Sequence, residues 1–211
     1  EVRRLIEKYE MPVLGYTPEH NAYPYNYMIG SEAQRRDAVD YLKLSLEMAK
    51  EMGAEFVLTS PANGGYLATY DQLWSRLEKN IQELGDYAAK LEIKLVVEAL
   101  TPYESNFFTR ANDLVELFRR VDNPYVVGMC DIVPPFVQHE SIMAYFDKLG
   151  NKMDHMHIID GENGSDTHLI PGEGNIPIKE MLYEMKRIGY DKTATLELVT
   201  NYINEPRFYA K

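Results

Sequence analysis

The chain has 211 residues and a formal net charge of −11, and 45 % of its residues are hydrophobic. This length and composition suit one globular domain with a substantial buried core. The negative charge, with no basic stretch longer than pairs such as Arg35 and Arg36, argues against a nucleic-acid partner, because binding to phosphates needs clustered lysine and arginine.

Cysteine content and hydropathy set expectations about the compartment. The single cysteine, Cys130, excludes an internal disulfide framework and a cysteine-rich zinc site, which suits a reducing compartment. No apolar run approaches the roughly 20 residues that a bilayer crossing requires. The charged opening Glu1-Val2-Arg3-Arg4 does not resemble a signal peptide. We therefore expect a cytoplasmic protein with no membrane partner.

Short apolar segments alternate with amphipathic helices along the chain. After an opening helical segment, nearly continuous runs of valine, isoleucine, leucine and methionine predict strands covered on both faces. The first long helix begins at a capping box of Ser31 and Gln34 and ends at Gly53. Apolar stripes at helical spacing predict four later helices, whose stripes end near Leu91, Val121, Leu149 and Ile188. The predicted strands span residues 12–16, 56–60, 94–100, 126–132, 153–160 and 193–200.

Strict alternation of strands and helices predicts parallel strands joined by helical crossovers. A closed barrel of this kind needs eight strands, and six are visible. An open doubly wound sheet is the rival architecture, but no predicted strand is followed by a glycine-rich dinucleotide loop. We expect residues 1–211 to form one (β/α)8 TIM-barrel domain, with the N-terminal β-α-β and the last helix missing from this chain.

Four side chains with metal-binding chemistry lie near the ends of four consecutive predicted strands: Glu98, Asp131, His157 and Glu197. Alternation along the strands gives them a shared inward direction, and strand tips of a parallel barrel converge. Buried carboxylates are costly unless they are paired or bound to metal. Oxygen ligands with one imidazole favour Mn²⁺, with Mg²⁺, Co²⁺ or Zn²⁺ as other candidates. The alternative is four separate residues, each with its own salt bridge or core hydrogen bond.

Other residues near these tips have competing interpretations. His155 shares the parity of His157 but lies one layer deeper, so we interpret it as a buried, hydrogen-bonded histidine. Cys130 should face the helix layer as a small apolar residue. The tyrosines of loop 17–30 could line a substrate pocket or form a subunit contact. The glycines of turn 171–174 could expose N–H groups to an anion at a helix start or simply permit a tight turn.

Several segments carry a resemblance to a known family. The chain resembles the xylose isomerase-like superfamily of sugar isomerases and epimerases and, within it, the ketose 3-epimerases. The segments span nearly the whole chain: Gly15-Tyr16-Thr17-Pro18-Glu19, Tyr23-Pro24-Tyr25-Asn26, Leu100-Thr101-Pro102-Tyr103-Glu104-Ser105-Asn106, Tyr145-Phe146-Asp147-Lys148-Leu149-Gly150, Ser165-Asp166-Thr167-His168, Pro171-Gly172-Glu173-Gly174 and Glu197-Leu198-Val199-Thr200.

The resemblance implies roles for individual residues. The family's metal ligands fall on the same four positions, and its substrate-binding glutamate, six residues after the first ligand, falls on Glu104. Two positions depart from the family pattern: Pro134 replaces a histidine and Asn163 replaces an arginine. These departures leave room for a bulkier, amine-substituted sugar. Our hypothesis is that His168 binds substrate in place of the arginine.

The implied function is a metal-dependent epimerase that inverts C3 of a ketose or of a ketosamine such as fructoselysine. Glu98 and Glu197 would exchange the proton, while Asp131 and His157 hold the metal. Alternatives are an aldose–ketose isomerase, an inosose-type dehydratase or a non-catalytic sugar-binding barrel. An abasic-site endonuclease is disfavoured, because it would need more histidines than the five present. Expected partners are a small-molecule sugar and further copies of the chain in a homo-oligomer.

Overall fold

The computed structural model describes residues 1–22, 24–162 and 164–198. In these residues the strands form one sheet in chain order, and every neighbouring pair is parallel. This confirms the parallel β/α architecture. A 3₁₀ turn, Gly150–Lys152, precedes the fifth strand. The elements are α1 (Val2–Tyr9), β1 (Gly15–Tyr16), α2 (Glu32–Met52), β2 (Phe56–Thr59), α3 (Tyr70–Leu91), β3 (Lys94–Val97), α4 (Ala111–Arg120), β4 (Val126–Asp131), α5 (Val133–Val137), α6 (Met143–Leu149), β5 (Met153–His157), α7 (Ile178–Ile188) and β6 (Thr193–Thr195).

The strands are shorter than their apolar patterns predicted. Residues 98–100 and 158–160 leave the ladder, and β1 keeps only its last two residues. Apolar character continues past the strand ends because the first loop residues are still buried, as Ala99, Leu100 and Ile159 are. Hydrophobic pattern reports burial, so it cannot mark where pairing stops. The predicted residues 199 and 200 lie outside the described part of the chain.

Helix boundaries follow local signals. Ser31 and Gln34 form the predicted capping box of α2, and Gly53 closes that helix at φ 79°. The sequence predicted one helix through residues 142–149 but missed α5, a five-residue helix before it. With prolines at its start and only about one turn of length, α5 shows no helical period in the sequence. Within the described residues, each helix is too short or too polar to cross a bilayer.

The sheet separates two hydrophobic regions. A large cluster lies between sheet and helices and includes Cys130, as predicted from its parity. A small inner cluster fills the concave face of the sheet. Its residues alternate along the strands with outward ones, and on β3 and β4 they lie just below Glu98 and Asp131. The inner cluster consists of Phe56, Leu58, Val96, Val127 and Met129.

The loop after β5 is built around one buried carboxylate. Asp160 is 1 % exposed and accepts hydrogen bonds from the backbone N–H groups of Gly161, Gly172 and Ile176 at 2.8–2.9 Å. Burial alone would raise the pKa of Asp160, but these backbone donors, with that of Gly174, outweigh it and lower the pKa. The anion held by the glycine turn is therefore the chain's own Asp160.

Gly172 and Gly174 meet two different steric requirements of this loop. Gly172 has φ +99°, a conformation that L side chains rarely adopt. A Cβ on Gly174 would collide with the Asp160 carboxylate and the Gly161 carbonyl. The turn thus needs both glycines to wrap its backbone around the acid.

We expect Asp160→Asn to lower the free energy of unfolding by about 2 kcal/mol at pH 7, because an amide offers one acceptor oxygen and sets an NH₂ against a backbone N–H. Asp160 has a lowered pKa when folded, so its contribution is present above about pH 4 and is lost as pH falls. Urea denaturation at pH 7 and below pH 4 measures both effects. Asp37→Asn, on the exposed face of α2, is the control; an equal loss in both variants would contradict this role.

Candidate metal centre

The four predicted metal-type residues lie at one end of the sheet. Asp131 and His157 are the last residues of β4 and β5, Glu98 directly follows β3, and Glu197 lies two residues beyond β6. Carboxyl ends of parallel strands lie at the same edge, so residues distant in sequence can meet there.

The four side chains converge on one point. His157 Nδ1 lies 2.9 Å from Glu197 Oε2 and 3.5 Å from both Glu98 Oε1 and Asp131 Oδ2. One ligand atom from each residue can be chosen so that all four lie within 4.8 Å of one another. The structure thus brings together the residues that strand parity had selected, while their roles as ligands stay a prediction.

Burial makes the carboxylates of this cluster costly to ionise. The side chains of Glu98 and Asp131 are 9 % and 4 % exposed. Burial, the largest influence, raises the pKa of Glu98 to about 7, against the opposing effect of His157. Burial likewise raises the pKa of Asp131. The neighbouring carboxylates add to both shifts, since like charges at short range disfavour ionisation.

The imidazole at the centre shows the opposite response. Burial lowers the pKa of His157, but the carboxylates of Asp131, Glu197 and Glu98 outweigh it and raise the pKa to about 12. Burial would raise the pKa of Glu197, yet His157 and His168 hold it below its ordinary value. The cluster therefore requires a positive charge at its centre, which a proton on His157 provides when no cation is bound.

The donor set fits a single divalent cation. His157 Nδ1 is buried without a hydrogen bond of acceptable geometry to any described residue, so it can offer a lone pair to a metal that displaces its proton. Divalent cations bind oxygen and nitrogen at about 2.0–2.6 Å, which places opposite ligands about 4–5 Å apart. The separation of at most 4.8 Å found here is of that size.

His155 supports the cluster from the layer below, as predicted. It is 1 % exposed, and its two ring nitrogens lie 2.7 Å and 3.1 Å from the hydroxyls of Thr193 and Thr195. Burial, followed by the charge of His157, lowers the pKa of His155 to about 4. Its ring contacts that of His157 edge to face, with centroids 5.4 Å apart. His155 is therefore a neutral structural residue.

Glu104 adjoins the cluster through a threonine. Although the residue is partly exposed, its Oε2 accepts hydrogen bonds from the backbone N–H and the hydroxyl of Thr101 at 3.2 and 2.9 Å. The same hydroxyl lies 3.0 Å from Asp166 Oδ2. Burial, followed by Asp166, raises the pKa of Glu104. Glu104 is thus directed into the mouth of the barrel, where the predicted substrate would bind.

His168 lies against Glu197 and Asp166. Its Nδ1 donates to the Glu197 carbonyl oxygen at 3.0 Å, and its Nε2 lies 3.5 Å from Asp166 Oδ1. Sequence reasoning had selected His168 as a substrate contact, and that assignment stays a prediction. It gave no role to Thr101 or Asp166, although both lie in segments that carry the family resemblance.

Of the two departures from the family pattern, Pro134 is buried at the start of α5, and Asn163 lies outside the described residues.

Loop 17–30 is held by polar contacts to neighbouring loops. Asn26 Nδ2 donates to the Asn63 carbonyl at 3.1 Å, and the Ser60 hydroxyl donates to Asn21 Oδ1 at 3.0 Å. Of its tyrosines, Tyr27 is 1 % exposed in the core and Tyr25 packs on a helix tyrosine, while Tyr23 lies outside the described residues. Tyr27 is therefore not an open substrate wall, while the role of the half-buried Tyr25 stays a prediction.

Comparison with known proteins gives concordant results. Residues 1–210 match the family described as xylose isomerase-like TIM barrel. The chain is 47 % identical to fructoselysine 3-epimerase of Shigella flexneri over 211 residues, which is all of this chain and 76 % of that protein. The chain thus spans about three quarters of the length of this relative.

Solved structures show the same fold at lower sequence identity. A D-psicose 3-epimerase superimposes with a TM-score of 0.80 at 17 % identity, covering 95 % of this chain and 70 % of that one. An L-ribulose 3-epimerase gives 0.82 at 15 % identity, covering 100 % and 72 %. The chain belongs to the xylose isomerase-like TIM barrel family and is an enzyme of the isomerase class.

Proposed function

We propose that this enzyme is a divalent-metal-dependent epimerase that inverts C3 of a ketose or ketosamine, with fructoselysine as the substrate. The observation that carries the proposal is the cluster of three carboxylates, two of them buried, around the His157 imidazole. The relative that is 47 % identical over the whole of this chain is named a fructoselysine 3-epimerase, and this supports the proposed substrate and the proposed position of inversion.

Glu98, Asp131, His157 and Glu197 would hold the cation. Three anionic oxygen ligands with one nitrogen suit Mn²⁺ best among the common divalent ions, with Mg²⁺, Co²⁺ and Zn²⁺ as alternatives. When bound, the cation would polarise the substrate carbonyl and stabilise the negative charge that develops as the C3 proton leaves. The rest of the chemistry falls to the side chains.

Inversion needs one group that removes the C3 proton and another that returns a proton to the opposite face. Glu98 follows β3 and Glu197 follows β6, so two intervening strands separate their backbones while their carboxylates reach the same centre. One acts as base and the other as acid, and the roles exchange with the direction of reaction. Asp131 and His157 orient the centre between them.

Glu104 would contact the substrate near C1. Its carboxylate is directed toward the mouth and is fixed by Thr101. In fructoselysine, C1 carries an amine, which a carboxylate can bind by a charge-assisted hydrogen bond. Pro134, where a ketose 3-epimerase is expected to have a histidine, has no hydrogen-bonding side chain and is buried in α5.

The first test is isotope exchange. In heavy water with Mn²⁺, the wild type should exchange the C3 hydrogen of fructoselysine with solvent, as followed by NMR. Glu98→Gln and Glu197→Gln should each lower the exchange rate by at least about 10²–10⁴-fold, because each loses a general acid–base group. Glu51→Gln, an exposed glutamate at the end of α2, is the matched control.

The position of the label separates the competing functions. Exchange at C1 or C2 instead of C3 would identify an aldose–ketose isomerase, and release of water would identify a dehydratase. A protein that binds the sugar without exchange would be a binding barrel. Substantial C3 exchange in either glutamine variant would contradict the two-glutamate mechanism.

The second test is metal dependence of stability. Removing metal with a chelator should lower the melting temperature, and Mn²⁺ at 100 times its dissociation constant should restore about 2.7 kcal/mol by mass action. Asp131→Asn should reduce this stabilisation, because it replaces a buried anionic ligand with a neutral amide. Asp37→Asn should respond to Mn²⁺ like the wild type. Equal stabilisation of both variants would place the ion elsewhere.

A further inference from the structure

Glu197 is the least constrained of the four proposed ligands. Its side chain is 38 % exposed, whereas those of the other three are 4–9 % exposed. It lies two residues past the end of β6, where strand pairing no longer fixes the backbone. A ligand that must be both oriented and mobile enough to exchange a proton needs support from neighbouring groups.

His168 contacts both the backbone carbonyl and the side-chain carboxylate of Glu197. Its Nδ1 lies 3.0 Å from the Glu197 backbone carbonyl oxygen and 3.4 Å from Glu197 Oε2. A carbonyl oxygen only accepts, so Nδ1 carries the hydrogen and donates it. One imidazole therefore constrains the backbone and the carboxylate of the same residue.

His168 is itself anchored to the barrel. Its Nε2 faces Asp166 Oδ1 at 3.5 Å, and Asp166 Oδ2 lies 3.0 Å from the Thr101 hydroxyl, in the loop after β3. The next residue, Leu169, exchanges two backbone hydrogen bonds with Asp160 at 2.8 and 2.9 Å. The imidazole is thus held from its far side and through its own backbone.

We infer that His168 is a positioning residue that orients Glu197 for metal binding, and that Asp166 holds His168 in that role. This inference rests on the proposed function, because it concerns a ligand of the proposed metal. It assigns His168 to the support of Glu197 in place of the substrate contact expected from sequence. Residues that orient metal ligands typically change metal affinity or activity by about 10–100-fold when they are mutated.

The test is Mn²⁺ affinity measured by titration calorimetry on two variants. His168→Leu removes the donor to the Glu197 carbonyl and should weaken Mn²⁺ binding about 10–100-fold. His168→Asn places an amide N–H near the position of Nδ1 and should recover most of the affinity. His139→Asn is the control, since His139 is exposed and its φ of 55° suits asparagine.

The sign of the effect distinguishes positioning from simple charge. Removing a positively charged imidazole from beside the site would strengthen cation binding by electrostatics alone, whereas loss of orientation weakens it. Unchanged or tighter Mn²⁺ binding by His168→Leu would overturn the inference, as would a rise in the KM for the sugar with unchanged metal affinity.

Failure of the proposed function gives a different result. If the wild type binds no Mn²⁺, or binds it without C3 exchange, the proposed metal chemistry is wrong whatever the variants do. If the wild type binds Mn²⁺ and exchanges C3 while both His168 variants match it, only the role of His168 is wrong. Should His168→Leu fail to fold, His168→Ala, which also lacks the donor, takes its place: weaker Mn²⁺ binding than in His168→Asn supports the inference, and equal or tighter binding overturns it.

Discussion

Three carboxylates lie around one buried imidazole, and their mutual repulsion is the main physical constraint on this site. Charges so close in a poorly hydrated mouth are costly unless a positive charge lies among them. His157 can supply that charge as a proton, because the surrounding carboxylates outweigh burial and raise its pKa. A divalent cation meets the same demand with coordinate bonds that also fix geometry. The arrangement is therefore costly for stability, and in the proposed function the bound cation would polarise a sugar.

The electrostatic cost of gathering these carboxylates is confined to one end of the sheet. The inner hydrophobic cluster lies directly below the ligands and limits access of water from beneath. Lys94, on the same strand as the residues that lead to Glu98, pairs with Asp154 at the opposite end at 2.8 Å. It cannot neutralise the acids at the mouth; among the described residues, His157 and His168 are the basic groups beside Glu197.

The four residues of the cluster, at or just past strand ends, were predictable, and the contacts between loops around them were not. Alternation along strands, together with convergence at their tips, is enough to select Asp131 and His157, because register and parity are local properties. Asp160, Thr101 and Asp166 act through contacts between loops that are distant in sequence, and nothing in the local pattern marks a hydrogen bond across 65 residues. Strand ends were placed wrongly because apolar pattern reports burial, and burial continues beyond pairing. The short helix α5 was missed because about one turn that begins with prolines shows no helical period.

Asp160, in the loop after β5, and Glu197, beyond β6, have their negative charges balanced by different groups. Asp160 is neutralised by backbone N–H groups that cannot leave, so its pKa is lowered and its position is permanent. Glu197 is balanced by two imidazoles, whose protons and positions can change. A carboxylate of the first kind suits a loop that must stay fixed. In the proposed function, a carboxylate of the second kind would bind a metal and exchange a proton, and the loop around Asp160 would hold the His168 that orients it.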